Sequence, residues 1–251
     1  MRRIWGAALG ALITVGSLGV LAEPAQARHR TPRDLLPDLR MAPMTNFSIE
    51  ETRGGRRLLR FDSVIVNVGK GRFEARGSRP DQATELMRTS QRVYNTAGRY
   101  RTVRTAAQMY YSGDGHDHWH VRDLEQFTFV SKEGGTGVGT LAKHGFCFFD
   151  NVPYRLGLPR APRFPYYSDC GNEGDLRVRM GLSVGWGDLY DARLIDQYVD
   201  ISDLPDGRYR MTGTADPQRW FKESNPRNNA SWVDLDIRGT DVRVLARSPR
   251  A

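Results

Sequence analysis

Residues 116–120 read His-Asp-His-Trp-His, so that His116, His118 and His120 alternate, in a chain with only five histidines. In an extended strand, positions i, i+2 and i+4 share one face, which would stack three imidazoles down one side. Ring nitrogens arranged in this way form a ligand set for copper, zinc, iron or nickel. Leu124, Phe127, Thr128, Phe129 and Val130 follow. These are residue types that favour strands, so a strand carrying a metal site is expected. A histidine face without metal would leave several polar nitrogens needing other partners. Asp123 is placed either to orient one ring from behind or to sit as a surface acid at a strand edge.

The elements that must position this tract read as β-structure. With 26 glycines and 13 prolines in 251 residues, the chain is punctuated too often for a helical bundle, while 39% hydrophobic residues suffice for a core. Short alternating segments recur between turn signals, from Phe47-Ser48-Ile49 through Ser63–Val68 to Ser231–Ile237. The expected fold is an all-β, β-sandwich-like domain over residues 46–251, with long irregular loops and little helix. Residues 28–45 are expected to form an irregular lead-in, and residues 76–90 a loop with a short helical turn. Gly134-Gly135 fits a hairpin turn between strands at 124–131 and 138–149. Residues 152–174 read as a long irregular excursion, and Leu194 to Ile201 as a strand.

Arg2 and Arg3 precede an apolar run from Ile4 to Ala22, followed by Ala25-Gln26-Ala27. This order of charge, apolar run and small-residue site predicts a signal peptide over residues 1–27, with an uncleaved anchor as the alternative. The expectation is a secreted, extracellular protein with no stable membrane anchor after cleavage. The formal net charge of +8 is scattered along the chain, which in an exported protein argues against nucleic acid as a partner. An anionic extracellular polymer is the better candidate, and plain solubility an equal one. The two cysteines, Cys147 and Cys170, read as one disulfide in an oxidising compartment. Free thiols or soft metal ligands are the alternatives.

Three segments in order resemble the lysyl oxidase family. The His-x-His-x-His tract with Asp123 resembles its copper-binding segment. Leu141 to Asp150, containing Lys143, resembles the stretch that holds its cofactor lysine. Tyr190, ahead of Asp200-Ile201-Ser202-Asp203 and Pro205-Asp206-Gly207-Arg208-Tyr209, stands where the family has its cofactor tyrosine. Weaker echoes occur at Arg57 to Phe61 and Glu223 to Asn229. The resemblance implies Cu2+ held by His116, His118 and His120, and a lysine tyrosylquinone cofactor made from Lys143 and Tyr190. It implies an amine oxidase that uses molecular oxygen to convert a primary amine, with peptidyl lysine one candidate, to an aldehyde, releasing hydrogen peroxide and ammonia. The alternative is an exported three-histidine copper-binding protein without quinone-dependent turnover.

The residue types suit these roles. A lysine attacks only as the neutral amine, so Lys143 needs a desolvated or cationic setting. Gly185 and Gly187 would let the Tyr190 ring move between metal and lysine. Asp117, Asp123 and Asp191 are candidates for the general base by sequence proximity. A bond between residues 143 and 190 would enclose both cysteines. The chain departs from animal members in having only two cysteines, in the Tyr110–Asp114 segment ahead of the histidines, and in placing His144 after the lysine.

Overall fold

The computed structural model describes Met1 and residues 31–112, 117–134 and 137–251, with residues 137–144 described through their backbone. The expected leader and His116 therefore lie outside the described residues. Among those residues there are sixteen strands and no helix. The first eight are β1 (Asp34–Leu35), β2 (Leu39–Met41), β3 (Thr45–Glu51), β4 (Arg57–Asn67), β5 (Phe73–Ser78), β6 (Leu86–Asn95), β7 (Tyr100–Ser112) and β8 (His118–Ser131). The rest are β9 (Gly137–Phe146), β10 (Val152–Pro153), β11 (Arg177–Leu182), β12 (Trp186–Tyr190), β13 (Tyr198–Asp200), β14 (Gly207–Ala215), β15 (Ala230–Arg238) and β16 (Asp241–Arg247).

They make two antiparallel sheets. The larger runs β11-β5-β6-β7-β8-β14-β15-β16, with β1 on β6 and β9 on β8. The smaller runs β10-β12-β4-β13, with β2 and β3 also on β4. The all-β, sandwich-like expectation holds. The two inner faces bury one apolar core, in which Phe61 of β4 meets Phe127 of β8 edge to face at 4.8 Å. Burial of such rings is the main driving force for closing the sandwich.

Two strands, β8 and β12, position the histidines and the tyrosine. β8 pairs β7 along its first residues (Tyr110↔His120, Ser112↔His118) and then β14 on that edge, while β9 covers its other edge. It inserts a bulge between Val121 and Glu125, where Asp123 takes φ 50°, the kind of irregularity that re-aims side chains near sites. β12 pairs β4 with Tyr190 opposite Ser63. The large sheet therefore supplies the histidines and the small sheet the tyrosine.

Three expectations change. The lead-in is not wholly irregular: Leu39 and Met41 of β2 are fully buried on β4, a pair too short to register as alternation. The 76–90 loop shrinks to 79–85, because β6 turns the polar Thr89 and Gln91 inward. Gln91 can be buried because it both accepts from the Lys222 backbone N–H at 2.8 Å and donates to its carbonyl at 2.9 Å. Residues 194–201 hold only the three-residue β13, with Ile195 60% exposed in the turn before it.

Candidate functional site

Of the three histidines, His118 and His120 open β8 on one face, as the alternation requires. Their rings lie 4.8 Å apart. Asp117 just before them takes φ 44°, so a single regular strand does not extend back through it. His120 is 3% exposed and sits between two phenols: Tyr110 Oη is 3.4 Å from Nδ1 and Tyr190 Oη 3.3 Å from Nε2. Which nitrogen donates depends on the tautomer. One ring nitrogen can thus face a metal while the other keeps a hydroxyl partner, an arrangement typical of ligating imidazoles.

Tyr190 is deeply placed. Its ring stacks on Phe146 with centroids 4.2 Å apart, and its hydroxyl accepts the Cys147 backbone N–H at 2.9 Å. Cys147 is four residues past Lys143, whose backbone stands in β9 opposite Gln126. The tyrosine hydroxyl therefore reaches the end of the strand that carries the lysine. Burial holds the Tyr190 hydroxyl well above the usual phenol range, Asp188 adds to this, and the Cys147 N–H opposes it.

The glycines around Tyr190 serve close packing rather than mobility. Gly185 turns at φ 78°, where a Cβ would lie 2.5 Å from the Arg155 carbonyl oxygen. Gly187 is inside the β4–β12 ladder, with room for a Cβ only 2.9 Å from Val66 Cγ1.

The two cysteines form the expected disulfide. It ties the end of β9 to the 152–174 excursion and brings that loop onto β8. The Trp119 backbone N–H donates to the Cys170 carbonyl at 3.2 Å, and its indole Nε1–H donates to the Asn172 carbonyl at 2.8 Å. One closed path thus runs from His120 through Tyr190, Cys147 and Cys170 to Trp119, the neighbour of both histidines.

Two acids escaped sequence reasoning. Glu125 and Asp188 are both 0% exposed. Burial pushes the Glu125 carboxyl up to about 8, against a hydrogen bond from Ser63, the residue opposite Tyr190. Asp188, two residues before Tyr190, is pushed well above the carboxylate range by burial, against hydrogen bonds from Phe149 and Asn151. A buried carboxyl in an otherwise apolar strand was the available signal: Glu125 stands between Leu124 and Phe127 where the alternation points inward. The three sequence candidates differ in kind. Asp191 is bound by Arg193 at 2.8 Å, which lowers its carboxyl to about 2, and it faces away from the tyrosine's buried hydroxyl. Asp123 borders a small cavity with Tyr110, Arg122 and Gly145, while exposed Asp117 borders a larger one of about 840 Å³ with Tyr110, Tyr111 and Arg122.

The fold and centre define a two-sheet β domain in which a histidine pair and a buried tyrosine meet across the sheets. The lysyl oxidase family model matches residues 74–246, and the chain belongs to that family. It is 28% identical over 191 residues to lysyl oxidase homolog 3B of Danio rerio, covering 76% of this chain and 19% of that protein. To lysyl oxidase homolog 3 of Homo sapiens it is 28% identical over 191 residues, or 76% of this chain and 20% of that protein. To lysyl oxidase homolog 2 of Rattus norvegicus it is 26% identical over 180 residues, or 72% and 18%. The chain spans about a fifth of the length of these curated relatives.

Proposed function

We propose that residues 46–251 are the catalytic domain of a secreted, copper-dependent amine oxidase that converts primary amines, peptidyl lysine among the candidates, to aldehydes. The observation that carries this reading is the Tyr190 hydroxyl, buried 3.3 Å from His120 Nε2 and held by the amide four residues beyond Lys143. His116, His118 and His120 would hold Cu2+, an ion that neutral imidazoles suit. Lys143 and Tyr190 would be joined as lysine tyrosylquinone, which supplies an electrophilic carbonyl and an electron sink for the amine, with oxygen reduced to hydrogen peroxide and ammonia released.

The chain's own residues do the positioning. Phe146 fixes the plane of the tyrosine ring by stacking, and the Cys147 N–H fixes its hydroxyl. The Cys147–Cys170 bridge holds that amide in place and supports export to an oxidising compartment, together with the leader pattern at residues 1–27. Burial raises the Glu125 carboxyl to about 8 and pushes that of Asp188 upward, so both are biased towards the protonated form in surroundings that exclude water, where groups that move protons are needed. Glu125 accepts from Ser63 Oγ at 3.2 Å, and Ser63 accepts from Gln197 Nε2 at 3.1 Å, so a buried polar chain joins these three side chains. The cavity bordered by Tyr110, Tyr111, Asp117 and Arg122 is the route by which an amine would approach.

Peptide mapping of copper-loaded, aerated protein tests the reading. A cross-linked peptide containing Lys143 and Tyr190, with visible absorbance and amine-dependent peroxide release, is expected. Separate unmodified peptides from protein shown to hold copper would refute the quinone and leave an exported copper-binding protein.

A further inference from the structure

A second concave site lies at the opposite end of β12 from Tyr190, beside the turn that leads into that strand. It is a cavity of about 310 Å³ bordered by Leu35, Pro162 and Val184 and by the cations Lys70, Arg72 and Arg160. Arg72 is held by stacking. Its guanidinium carbon lies 3.9 Å from the Tyr94 ring centroid and 4.9 Å from that of Tyr166. Two aromatic faces thus fix the plane of the guanidinium and leave its N–H edge for a ligand.

The nearby acids are already committed. Glu74, beside Tyr94, accepts from Arg76 at 2.8 Å and from the Tyr94 and Tyr167 hydroxyls at 2.9 Å, with Arg92 at 3.5 Å. Asp34 is bound by Arg101 at 2.7 Å. Among the described residues, Lys70, Arg72 and Arg160 have no carboxylate within ion-pair distance. Three cations that gather at one mouth without acids repel each other, a cost that an anion removes. A guanidinium also matches a carboxylate's two oxygens in a way an ammonium does not.

We infer that this cavity binds a small organic carboxylate with a ring-sized apolar body, its carboxylate on the Arg72 edge and its body against Leu35, Pro162 and Val184. Size favours such a ligand over a folded partner, since the cavity lies at the low end of the roughly 300–1,000 Å³ typical of ligand pockets. The lining favours an apolar ring over a sugar, because the cavity wall apart from the cations is mostly apolar. The site stands apart from the histidine–tyrosine centre and needs no copper.

The test is calorimetric titration of the full protein, copper-free and copper-loaded, with phenylacetate, with glucuronate, and with a short oligomer of a uronic acid. Phenylacetate should bind equally to both protein forms and more weakly as salt rises. Arg72→Gln should weaken it by roughly tenfold to a hundredfold, the range for losing a charge-assisted hydrogen bond. The exposed pair Lys70→Gln with Arg160→Asn, which leaves the aromatic stack intact, should weaken it by about threefold to tenfold. Arg72→Lys should restore only part of the loss, since it keeps the charge without the fork. Absence of phenylacetate binding at millimolar concentration overturns the inference, as does binding that survives Arg72→Gln unchanged. Tighter binding of the uronic acid oligomer than of phenylacetate overturns the apolar-ring assignment and marks an acidic sugar as the source of the carboxylate.

Discussion

Replacing both Cys147 and Cys170 by alanine should loosen the histidine–tyrosine centre as well as the fold, by an amount set by the length of chain the bridge encloses. The bridge closes a span of 23 residues. In the chain-entropy model a loop of that size restricts the unfolded ensemble by about 3.4 kcal/mol at 25 °C. For a domain of this size the unfolding entropy, at about 2 cal/mol/K per residue, converts that loss into a midpoint shift of about 7 °C. Alanine is the right replacement, because the cysteines are 1% and 2% exposed and a serine hydroxyl there would need a partner. The measurement is thermal unfolding of copper-free protein, in which no second cross-link is present, with copper affinity measured in parallel. Both should fall. The Cys147 amide holds the Tyr190 hydroxyl, and the Cys170 carbonyl holds the Trp119 amide between the two histidines. A midpoint shift of less than about 2 °C would refute the entropic estimate. A large midpoint shift with unchanged copper affinity would refute the coupling between bridge and centre.

Glu223 gives a pH test. Burial raises its carboxyl to about 8 from an ordinary 4.5, against hydrogen bonds from Asn229 and the Leu39 N–H. The folded protein then keeps a proton that the unfolded chain has lost, so the stability that Glu223 contributes is fully present below pH 4.5 and declines as pH rises towards 8. Glu223→Gln should flatten urea-denaturation free energies over that window by roughly 3–5 kcal/mol; a slope equal to wild type would show that Glu223 does not titrate there. Gly145→Ala would place a Cβ 2.3 Å from Tyr110 Oη and 2.7 Å from its ring carbon Cε1, forcing the phenol away from His120. Destabilisation of about 1–3 kcal/mol is expected in denaturant melts, with weaker copper binding by competition titration; retention of both would mean that Tyr110 does not support the ring. Asp191→Asn should leave amine turnover unchanged in a peroxide assay, whereas a fall of more than tenfold, about 1.4 kcal/mol in barrier, would restore Asp191 as a candidate base.

How far the fold and the centre are legible in the sequence depends on whether the signal is local. The β class, the hairpin of β8 and β9 and the cysteine pair follow from alternation, glycines and an even count of thiols, all readable within a few residues. The inward-facing polar residues are not. Thr89 and Gln91 look like loop residues until Lys222, more than 130 positions away, supplies the partner that lets Gln91 go inside. Proximity in sequence is also a poor guide to the base. Asp191 follows Tyr190 directly but turns outward to Arg193, whereas Asp188, two residues back, is buried and helps to raise the tyrosine's hydroxyl. In a strand the neighbour at i+1 faces away and the neighbour at i−2 shares the face. The period-2 rule that picks out the histidines applies equally to the acids, once Tyr190 is recognised as lying at the end of a strand.

The site's position explains why it combines buried acids with a buried phenol. His118 and His120 come from the large sheet and Tyr190 from the small one, so the centre can exist only where the sandwich closes. That location is dry, and a dry location penalises charge: burial raises the Glu125 and Asp188 carboxyls and the Tyr190 hydroxyl alike. A divalent cation brought to the imidazoles would reverse the local field, favouring the ionised phenol and carboxylates. The same closure keeps water from the tyrosine ring, so one structural fact, the meeting of two sheets, accounts for both the shifted acids and the protected phenol.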